Sequence, residues 1–323
     1  MTTLLLATTG GHLTQLNELS HRFAENGDAV WVTHENAQST SMLAEQDVHF
    51  VPYVGVRSVP DVLRCVPAAR RLMNSRKFTR AVSTGSGIAL GFLPYLAARG
   101  VECHYVESAT RVLGPSLTGR ILQWVPGVRT YTQYPHWADT RWRYAGSVLD
   151  GYEALAAAPE LRDQIRVVVT VGAATEFPFR RLVEHLAPLV APHGPLHTAT
   201  GLAPSVLWQT ADTPVDDLPI HPTPFLPAAE LTTALAQADI VVSHAGTGSA
   251  LAALGSGRVP LLVPRDPAHG EAGDDHQFQL AAELSRRGLG VRREATAITV
   301  DDLLLTLSRT AQRTSTPPPF DLP

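Results

Sequence analysis

The 323-residue chain is predicted to be an α/β protein built from two doubly wound domains. Short apolar runs alternate with segments of helical spacing along most of the sequence, which implies right-handed crossovers and parallel sheets. The length exceeds the roughly 100–200 residues of one typical domain. The alternation lapses once, over residues 146–162, where an Ala-rich segment predicts the domain boundary.

The first domain is predicted to span residues 1–150. Residues 4–8 form an apolar run that ends at Gly10 and Gly11, and the following apolar residues, from Leu13 to Phe23, have helical spacing. This is the pattern of a strand, a glycine turn and a helix. Further strands are predicted at residues 29–33, 48–51, 80–84, 102–107 and 130–134, with helices at 12–25 and 88–99.

The second domain is predicted to span residues 163–310. Its strands are predicted at residues 165–171, 205–209, 240–243 and 259–263, and its helices at 179–189, 228–238, from 248, and 277–287. Five prolines make residues 212–227 an irregular loop, and the Pro-rich tail, residues 311–323, is either disordered or an extended strap. We expect the two sheets to face one another across a cleft, with ligands beyond the carboxyl ends of the strands.

Composition excludes several classes of protein. The net charge of −4 gives no electrostatic case for a nucleic-acid partner. Cys65 and Cys103 have neither metal-ligand nor CxxC spacing, which favours a reducing compartment. The first residues lack the pattern of a signal peptide, and the longest apolar run, residues 88–98, is too short to span a bilayer. A cytoplasmic protein is expected, with peripheral membrane contact left open.

The segment HAGTGS at residues 244–249 follows a buried strand and opens a helix. Its backbone N–H groups would lie at the positive end of the helix dipole, where a diphosphate can bind. The full GxGxxG fingerprint is missing, which disfavours a dehydrogenase site. His244 could contribute to the site or be a buried structural histidine.

A dense group of polar side chains follows the next strand. Such density at the carboxyl end of a strand is typical of a site that binds sugar hydroxyls, although solvated loops are polar too. Asp274 or Asp275 could cap the helix that follows. No DxD pair follows a strand and no HExxH spacing occurs, so metal-independent chemistry is expected. The group comprises Arg265, His269, Glu271, Asp275, His276 and Gln277.

Three further motifs occupy the first domain. TGGH at residues 9–12 places His12 at a helix start, where it could accept a proton or merely cap the helix. GSG at residues 85–87 is either a tight turn or part of an acceptor site. ESATR at 107–111 and SLTGR at 116–120 carry arginines suited to diphosphate oxygens, although an ordinary amphipathic surface explains them equally.

Several co-ordered motifs resemble one enzyme family. VTVGAATEFPFRRLV (169–183), DIVVSHAGTGSAL (239–251) and PR…GE…DHQ (264–277) resemble the catalytic subunit of the two-subunit UDP-GlcNAc transferase of the dolichol pathway. They resemble still more closely its bacterial exopolysaccharide relatives of the PssE type. In the first half TTGGH, STGSG, YVESATRV, SLTGR and YTQYP resemble the membrane-recruiting, acceptor-binding partner subunit and PssD. The chain thus resembles a fusion of the two, a MurG-like glycosyltransferase with two Rossmann-like domains, the GT-B architecture.

This resemblance implies roles for particular residues. His12 would be the catalytic base, the diphosphate would lie on residues 246–249, and His276 and Gln277 would contact the sugar. The donor-binding residues implied are Gly172, His244, Gly246, Thr247, Gly248, Ser249, Arg265, Glu271, Asp275, His276 and Gln277. The acceptor-binding residues implied are Gly10, Gly11, Ser86, Gly87, Glu107, Arg111 and Arg120.

The sequence departs from the family at two points. Relatives carry an acidic residue that can hold the ribose a few positions after the glycine turn, where this chain has Ala252, so Glu271 is the substitute candidate. The N-terminal membrane anchor of the eukaryotic recruiting subunit has no counterpart in this sequence. Membrane contact is therefore expected from Trp124, Trp137, Trp142 and nearby arginines.

The function predicted is an inverting, metal-independent transfer of a sugar from a UDP-sugar to a polyprenyl-diphosphate-linked saccharide in exopolysaccharide or cell-envelope glycan synthesis. No cofactor is expected, because the UDP-sugar is a substrate. The expected location is the cytoplasm, at the inner face of the plasma membrane. The alternatives are a UDP-sugar epimerase or hydrolase, a glycosyltransferase for a soluble secondary metabolite, and a non-catalytic nucleotide-sugar-binding protein.

Overall fold

The computed structural model describes residues 2–23, 28–55, 58–158, 163–172 and 177–322, and the chain forms two compact units. The first comprises Met1–Gly151 together with Thr316–Pro323, and the second comprises Tyr152–Ser315. Among the described residues no helix is both long and apolar enough to cross a membrane.

The first unit contains one seven-stranded sheet with every pairing parallel. Its strands are β1 (Thr2–Ala7), β2 (Asp28–Thr33), β3 (Asp47–Phe50), β4 (Arg80–Gly85), β5 (Glu102–Val106), β6 (Val128–Thr132) and β7 (Trp142–Tyr144). Its helices are α1 (Gly11–Ser20), α2 (Ala37–Met42), α3 (Val59–Ser75), α4 (Gly87–Ala97) and α5 (Leu117–Leu122). The spatial order β3-β2-β1-β4-β5-β6-β7 reverses direction between β1 and β4.

The second unit repeats this plan with a six-stranded parallel sheet. The strands of the second unit are β8 (Tyr152–Ala156), β9 (Gln164–Thr170), β10 (Ala203–Gln209), β11 (Pro222–Thr223), β12 (Ile240–His244), β13 (Leu261–Val263), β14 (Val291–Arg292) and β15 (Arg309–Arg313), and β9 to β14 form the six-stranded sheet. Its helices are α6 (Arg180–Leu189), α7 (Pro195–Thr200), α8 (Ala228–Gln237), α9 (Thr247–Gly255), α10 (His276–Arg286) and α11 (Val300–Leu307). The order β11-β10-β9-β12-β13-β14 reverses between β9 and β12, while β8 and β15 form a separate antiparallel pair.

Apolar runs become central strands because both faces of a parallel sheet are covered by helices. Leu4 to Ala7 in β1 and Val167 to Val169 in β9 are buried on both faces. In the first unit α3 and α4 approach closely at Gly91, where an added Cβ would lie 2.5 Å from the Cβ of Cys65. The predicted α/β class with two Rossmann-like domains is confirmed.

Several elements differ from the sequence-based expectation. The helix predicted over residues 12–25 ends at Ser20, and residues 24–27 lie outside the described part of the chain. The helix α3 was not predicted, because Pro60 and Pro67 interrupt its pattern, although Pro60 lies in the first turn, where a missing N–H costs little. The loop predicted at 212–227 contains the two-residue strand β11. Parts of the expected boundary (159–162) and of the 169–183 motif (173–176) also lie outside the described residues.

The Pro-rich tail is divided between the two units. Residues 309–313 form β15 of the second unit, whereas the last residues pack as an extended strap on the first. The Phe320 N–H donates to the carbonyl of Arg22 at 3.3 Å, and the Arg22 guanidinium donates to the carbonyl of Pro318 at 2.7 Å. The Phe320 ring is 1% exposed and meets Phe23 edge to face with 6.2 Å between ring centroids.

Phe320→Ala should therefore destabilise the first unit. Removal of a buried phenyl ring typically costs about 3–5 kcal/mol of unfolding free energy, and the tail would lose its only fully buried large side chain among the residues described after 316. Thermal and urea denaturation measure the effect. Phe225→Ala is the control, since that ring is 53% exposed and its loss should change stability little. Equal losses of stability in the two variants would contradict the packing of the C-terminal residues on the first unit.

Candidate functional site

Both sheets place a pair of glycine turns beside the point where strand order reverses. In the first unit the turns after β1 and β4 contain the TGGH and GSG motifs. In the second unit the turns after β9 and β12 contain Gly172 and the HAGTGS motif. Helices leave a reversal point toward opposite faces, which opens a crevice at the carboxyl ends of the two strands. Each unit therefore presents a ligand-binding crevice of its own.

The half-buried His12 is held by Thr84 through two hydrogen bonds. Its Nδ1 lies 2.7 Å from the carbonyl oxygen of Thr84, and the Thr84 hydroxyl donates to the carbonyl of His12 at 2.7 Å. Because a carbonyl only accepts, Nδ1 carries the proton and Nε2 keeps its lone pair. Burial lowers the pKa of His12; the Thr84 contact raises it and the charge of Arg111 lowers it further. A neutral imidazole with a free Nε2 can accept a proton.

Glycine at position 85 makes room for this imidazole. Gly85 has φ +123, and an added Cβ would lie 3.0 Å from the His12 Cε1 and 3.3 Å from the Tyr105 hydroxyl. The next residue, Ser86, caps α4 with φ 70, a conformation that costs a non-glycine residue of the order of 1–3 kcal/mol. Strain of this kind tends to occur at functional sites.

The glycine turn after β1 is held by Gln38. The Gln38 Oε1 accepts from the Gly10 N–H at 2.5 Å, and its amide nitrogen donates to the Gly10 carbonyl at 3.2 Å and to Thr14 at 3.1 Å. Gln38 lies in the first turn of α2, so this residue joins α2 to the turn that carries Gly11 and His12. No sequence pattern singled out Gln38.

The predicted acceptor residues have different environments. The Glu107 carboxylate is 1% exposed and accepts from the Ser116 N–H and hydroxyl, the Ser108 N–H and the Tyr105 hydroxyl at 2.8–3.1 Å. Burial raises the pKa of Glu107, and these hydrogen bonds lower it. Glu107 therefore organises the loop that follows it. Arg111 is half-buried, and its charge lowers the pKa of His12. Arg120 is exposed.

In the second unit α9 begins with free backbone donors. Gly246 caps this nine-residue helix without a side-chain hydrogen bond, and the N–H groups of Thr247, Gly248 and Ser249 precede the first intrahelical partner. The Thr247 side chain is 4% exposed, and its hydroxyl has no hydrogen-bond partner among the described residues. A buried hydroxyl beside three free amides favours a bound anion.

The His244 imidazole lies over two glycines. An added Cβ at Gly172, where φ is +81, would overlap the ring, and so would one at Gly246. Burial lowers the pKa of His244 to about 3, with the Arg265 charge as the next cause, so the ring is neutral at physiological pH. Its Nδ1 has no partner within the described part of the chain. His244 is thus a neutral ring at the start of the anion site.

Arg265 supplies a buried positive charge that acts on His244. It is 2% exposed, its Nη2 donates to the Val171 carbonyl at 2.6 Å, and its Nε is unpartnered among the residues described. Burial lowers the pKa of Arg265 to about 10, and the guanidinium remains charged at neutral pH. Its backbone N–H donates to the Gln277 Oε1 at 3.1 Å, so Gln277 joins β13 and α10.

Glu271 forms a buried ion pair instead of lying free. Its two carboxylate oxygens accept from the Arg181 Nε and Nη2 at 3.0 and 2.7 Å, and from the Asp266 N–H at 3.0 Å. The Glu271 side chain is 6% exposed. This bidentate pair fixes the loop after β13 to α6.

The start of α10 also differs from expectation in its detail. Asp275 occupies the cap position without a side-chain capping bond and accepts instead from the Gln279 amide at 3.0 Å. Asp274 contacts the Nδ1 of His276, which directs the other imidazole nitrogen of His276 away from this carboxylate. Arg181, Thr84 and Asp274 were not among the predicted site residues, although each lies within a motif that carries the family resemblance. Among the described residues no group of three or more His, Cys, Asp or Glu could hold a metal ion.

The expected tryptophan surface is only partly correct. Trp142 is 3% exposed and packs on Trp137 with 5.2 Å between ring centroids, so these two rings belong to the interior of the first unit. Trp124 is 65% exposed, with the Arg141 guanidinium 3.6 Å from its ring centroid. With Leu113, Leu117 and Ile121 it forms an exposed apolar surface along α5, which we term the α5 surface.

Comparisons with known proteins identify the second unit and the fold. Residues 166–317 match the glycosyltransferase family 28 C-terminal domain. No curated protein sequence matches. Among solved structures, Acinetobacter baumannii MurG is 16% identical over 95% of this chain and 91% of its own, with a TM-score of 0.58. The glycosyltransferase SnogD from Streptomyces nogalater is 15% identical over 95% and 91%, with a TM-score of 0.59.

A third structure, the spinosyn rhamnosyltransferase SpnG complexed with thymidine diphosphate, is 15% identical over 95% of this chain and 91% of its own, with a TM-score of 0.52. At these identities the structures show a shared fold, the GT-B architecture. The matched domain confirms the predicted class of enzyme, a glycosyltransferase.

Gly172→Ala should disrupt the second unit more than its backbone conformation alone explains. The substituted residue would have to keep the positive φ of Gly172, and its methyl group would also overlap the His244 ring. Gly201→Ala is the matched control, since Gly201 has φ +72 with nothing within 4 Å, and should cost about 1–2 kcal/mol. Thermal denaturation with and without UDP measures both variants. Equal losses of stability, with UDP stabilisation kept by both, would show that His244 does not need this glycine.

Proposed function

We propose that the protein is an inverting, metal-independent glycosyltransferase. It moves a sugar from a UDP-sugar to a polyprenyl-diphosphate-linked saccharide in exopolysaccharide or cell-envelope glycan synthesis. The observation that carries the proposal is the start of α9 within the matched domain, where three backbone amides precede the first intrahelical partner and the buried Thr247 hydroxyl has no partner among the described residues.

The diphosphate of the donor binds the amides of Thr247, Gly248 and Ser249. The helix dipole and the buried Arg265 charge stabilise its oxygens, and the neutral His244 adds a polar group without competing charge. His276 and Gln277, at the start of α10, lie next to the sugar in this proposal. SpnG, the related fold that holds thymidine diphosphate, supports a nucleoside diphosphate as the ligand class.

His12 acts as the general base. Its Nε2 takes the proton of an acceptor hydroxyl as the oxygen attacks the anomeric carbon from the face opposite the diphosphate. The bond between that carbon and the diphosphate oxygen breaks, and the electron pair leaves with UDP. The amides at the start of α9 stabilise the developing negative charge, and the single displacement inverts the anomeric configuration.

Ribose recognition differs from that of the relatives. Ala252 offers no acidic group at the usual position, and Glu271 already accepts from Arg181 and Asp266. We therefore propose that Glu271 positions the loop after β13 rather than contacting the ribose hydroxyls directly.

The acceptor binds the first unit. Arg111 and Arg120 bind its diphosphate, and the exposed α5 surface contacts the lipid at the inner, cytoplasmic face of the plasma membrane. The apolar side chains beside exposed arginines favour this acceptor over a soluble secondary metabolite.

Donor binding and turnover test the proposed function. A thermal-shift panel of UDP, UDP-glucose, UDP-galactose, UDP-GlcNAc, UDP-glucuronate and dTDP should show stabilisation by UDP and by one UDP-sugar above the others. His12→Ala should lower turnover with a farnesyl-diphosphate-linked monosaccharide acceptor by about 10²–10⁴-fold, while UDP stabilisation is kept.

His21→Ala, at the exposed end of the same helix, is the control and should keep full turnover. Unchanged turnover of His12→Ala would exclude His12 as the base. UDP release at one rate with and without acceptor would favour a hydrolase, and binding without turnover of any acceptor would favour a non-catalytic protein.

Membrane contact by the α5 surface has its own test. Trp124→Ala should lower co-sedimentation with vesicles of equal parts phosphatidylglycerol and phosphatidylethanolamine about fivefold, because the exposed indole is the largest side chain of the α5 surface. Phe225→Ala, an exposed aromatic residue of the second unit, should bind vesicles like the wild type. Full binding by the Trp124 variant would favour a soluble acceptor.

A further inference from the structure

A cavity of about 630 Å³ opens in the first unit at the carboxyl ends of β1, β2 and β3. All of its lining residues belong to that unit. Its volume suits a ligand of one or two rings. The side chains that matter here are Thr9, His34, Glu35, Asn36, Phe50 and Tyr53. Thr9 belongs to the TGGH motif, but none of the six is among the predicted site residues, and the proposed reaction does not use them.

His34 contributes a buried imidazole to the wall of this cavity. The side chain is 3% exposed, and Nδ1 lies 3.2 Å from the carbonyl oxygen of Val51. Since that carbonyl accepts the Nδ1 proton, Nε2 carries a lone pair, and it has no partner in the described ranges of the chain. Burial lowers the pKa of His34, so the ring stays neutral. His34 therefore contributes a neutral, buried ring to the wall of the cavity.

Two exposed aromatic rings line the same cavity. Tyr53 is 62% exposed and Phe50 is 41% exposed. The Tyr53 ring meets His34 edge to face, with 5.2 Å between centroids and 66° between planes, which orients the ring while leaving most of it open. A held but solvent-exposed aromatic ring is a platform for an apolar ligand face.

The remaining groups of the cavity are polar, and one is acidic. Glu35 is exposed and has no partner within the described residues, so its carboxylate can accept hydrogen bonds from hydroxyl groups. The side-chain Oδ1 of Asn36 accepts from the Ser39 N–H at 2.9 Å, which leaves the side-chain Nδ2 of Asn36 as a donor. A carboxylate repels phosphate and disfavours an anionic ligand. The cavity thus suits a neutral ligand with hydroxyl groups and one apolar face.

We propose that this cavity binds the terminal sugar of the acceptor, as a neutral pyranose ring. The C–H face of the pyranose stacks on Tyr53, whose ring packs against His34, and the hydroxyl groups pair with Glu35 and Asn36. This inference rests on the proposed function and identifies which part of the acceptor the first unit recognises.

Gln38 connects this cavity to the catalytic turn. Thr9, a cavity residue, immediately precedes Gly10, and Gln38 holds Gly10 to the start of α2, which follows the cavity residues Glu35 and Asn36. Gln38 is therefore a positioning residue between the sugar-binding cavity and His12.

Saturation-transfer NMR with methyl β-glycosides tests the cavity directly. Methyl β-glucoside, methyl β-galactoside and methyl β-N-acetylglucosaminide serve as sugar probes, and 2-naphthol serves as a planar aromatic probe. At least one glycoside should receive saturation on its ring protons. Tyr53→Ala should weaken its binding about tenfold, the scale of one aromatic contact, and Glu35→Gln should weaken it less.

Tyr144→Ala is the matched control, an exposed tyrosine on β7 at the opposite edge of the same sheet. Equal loss in the Tyr53 and Tyr144 variants would overturn the proposal, as would binding of 2-naphthol without any glycoside. Stabilisation by UDP in the thermal-shift panel distinguishes failure of the cavity inference from failure of the proposed function. If UDP binds and no glycoside does, the cavity inference alone fails; if a glycoside binds and no nucleotide does, the proposed function fails.

Discussion

Both crevices depend on an imidazole packed against a glycine at the point where strand order reverses. His12, after β1, lies against Gly85 after β4, and His244, at the end of β12, lies against Gly172 after β9. In each pair the glycine has positive φ and lacks the Cβ that would displace the ring. The two units thus use one packing solution, in which a neutral imidazole fills the space that a glycine leaves beside it.

The charged residues of the crevices divide into those that hold loops and those left open to a ligand. Glu107 accepts four hydrogen bonds and Glu271 pairs with Arg181, so both carboxylates are used within the fold. The Arg265 Nε and the Thr247 hydroxyl, by contrast, are buried without partners among the described residues. Burying an unpartnered polar group is costly, which is why these two groups mark the anion site better than exposed charge does.

The predicted fold and motifs came from patterns that are local in sequence. Buried parallel strands read as apolar runs, and the turns that follow them read as glycine pairs, so the order of β1, β4, β9 and β12 could be predicted. Helix α3 could not, because Pro67 interrupts its pattern, and its packing against α4 through Gly91 is a tertiary contact. Trp137 and Trp142 show the same limit: both were expected to contact a membrane, but the two rings pack on each other.

The sequence by itself determined the α/β class, the positions of the glycine turns and the enzyme class, because each depends on residues close together in the chain. Tertiary structure alone decided which side chains are free. The proton on His12 is placed by Thr84, 72 residues away, and the Glu271 carboxylate is taken by Arg181, 90 residues away. The cavity at His34 and Tyr53 likewise exists only where three parallel strands end at one edge. Hydrogen bonds and burial join residues distant in sequence, so local patterns carry no record of them.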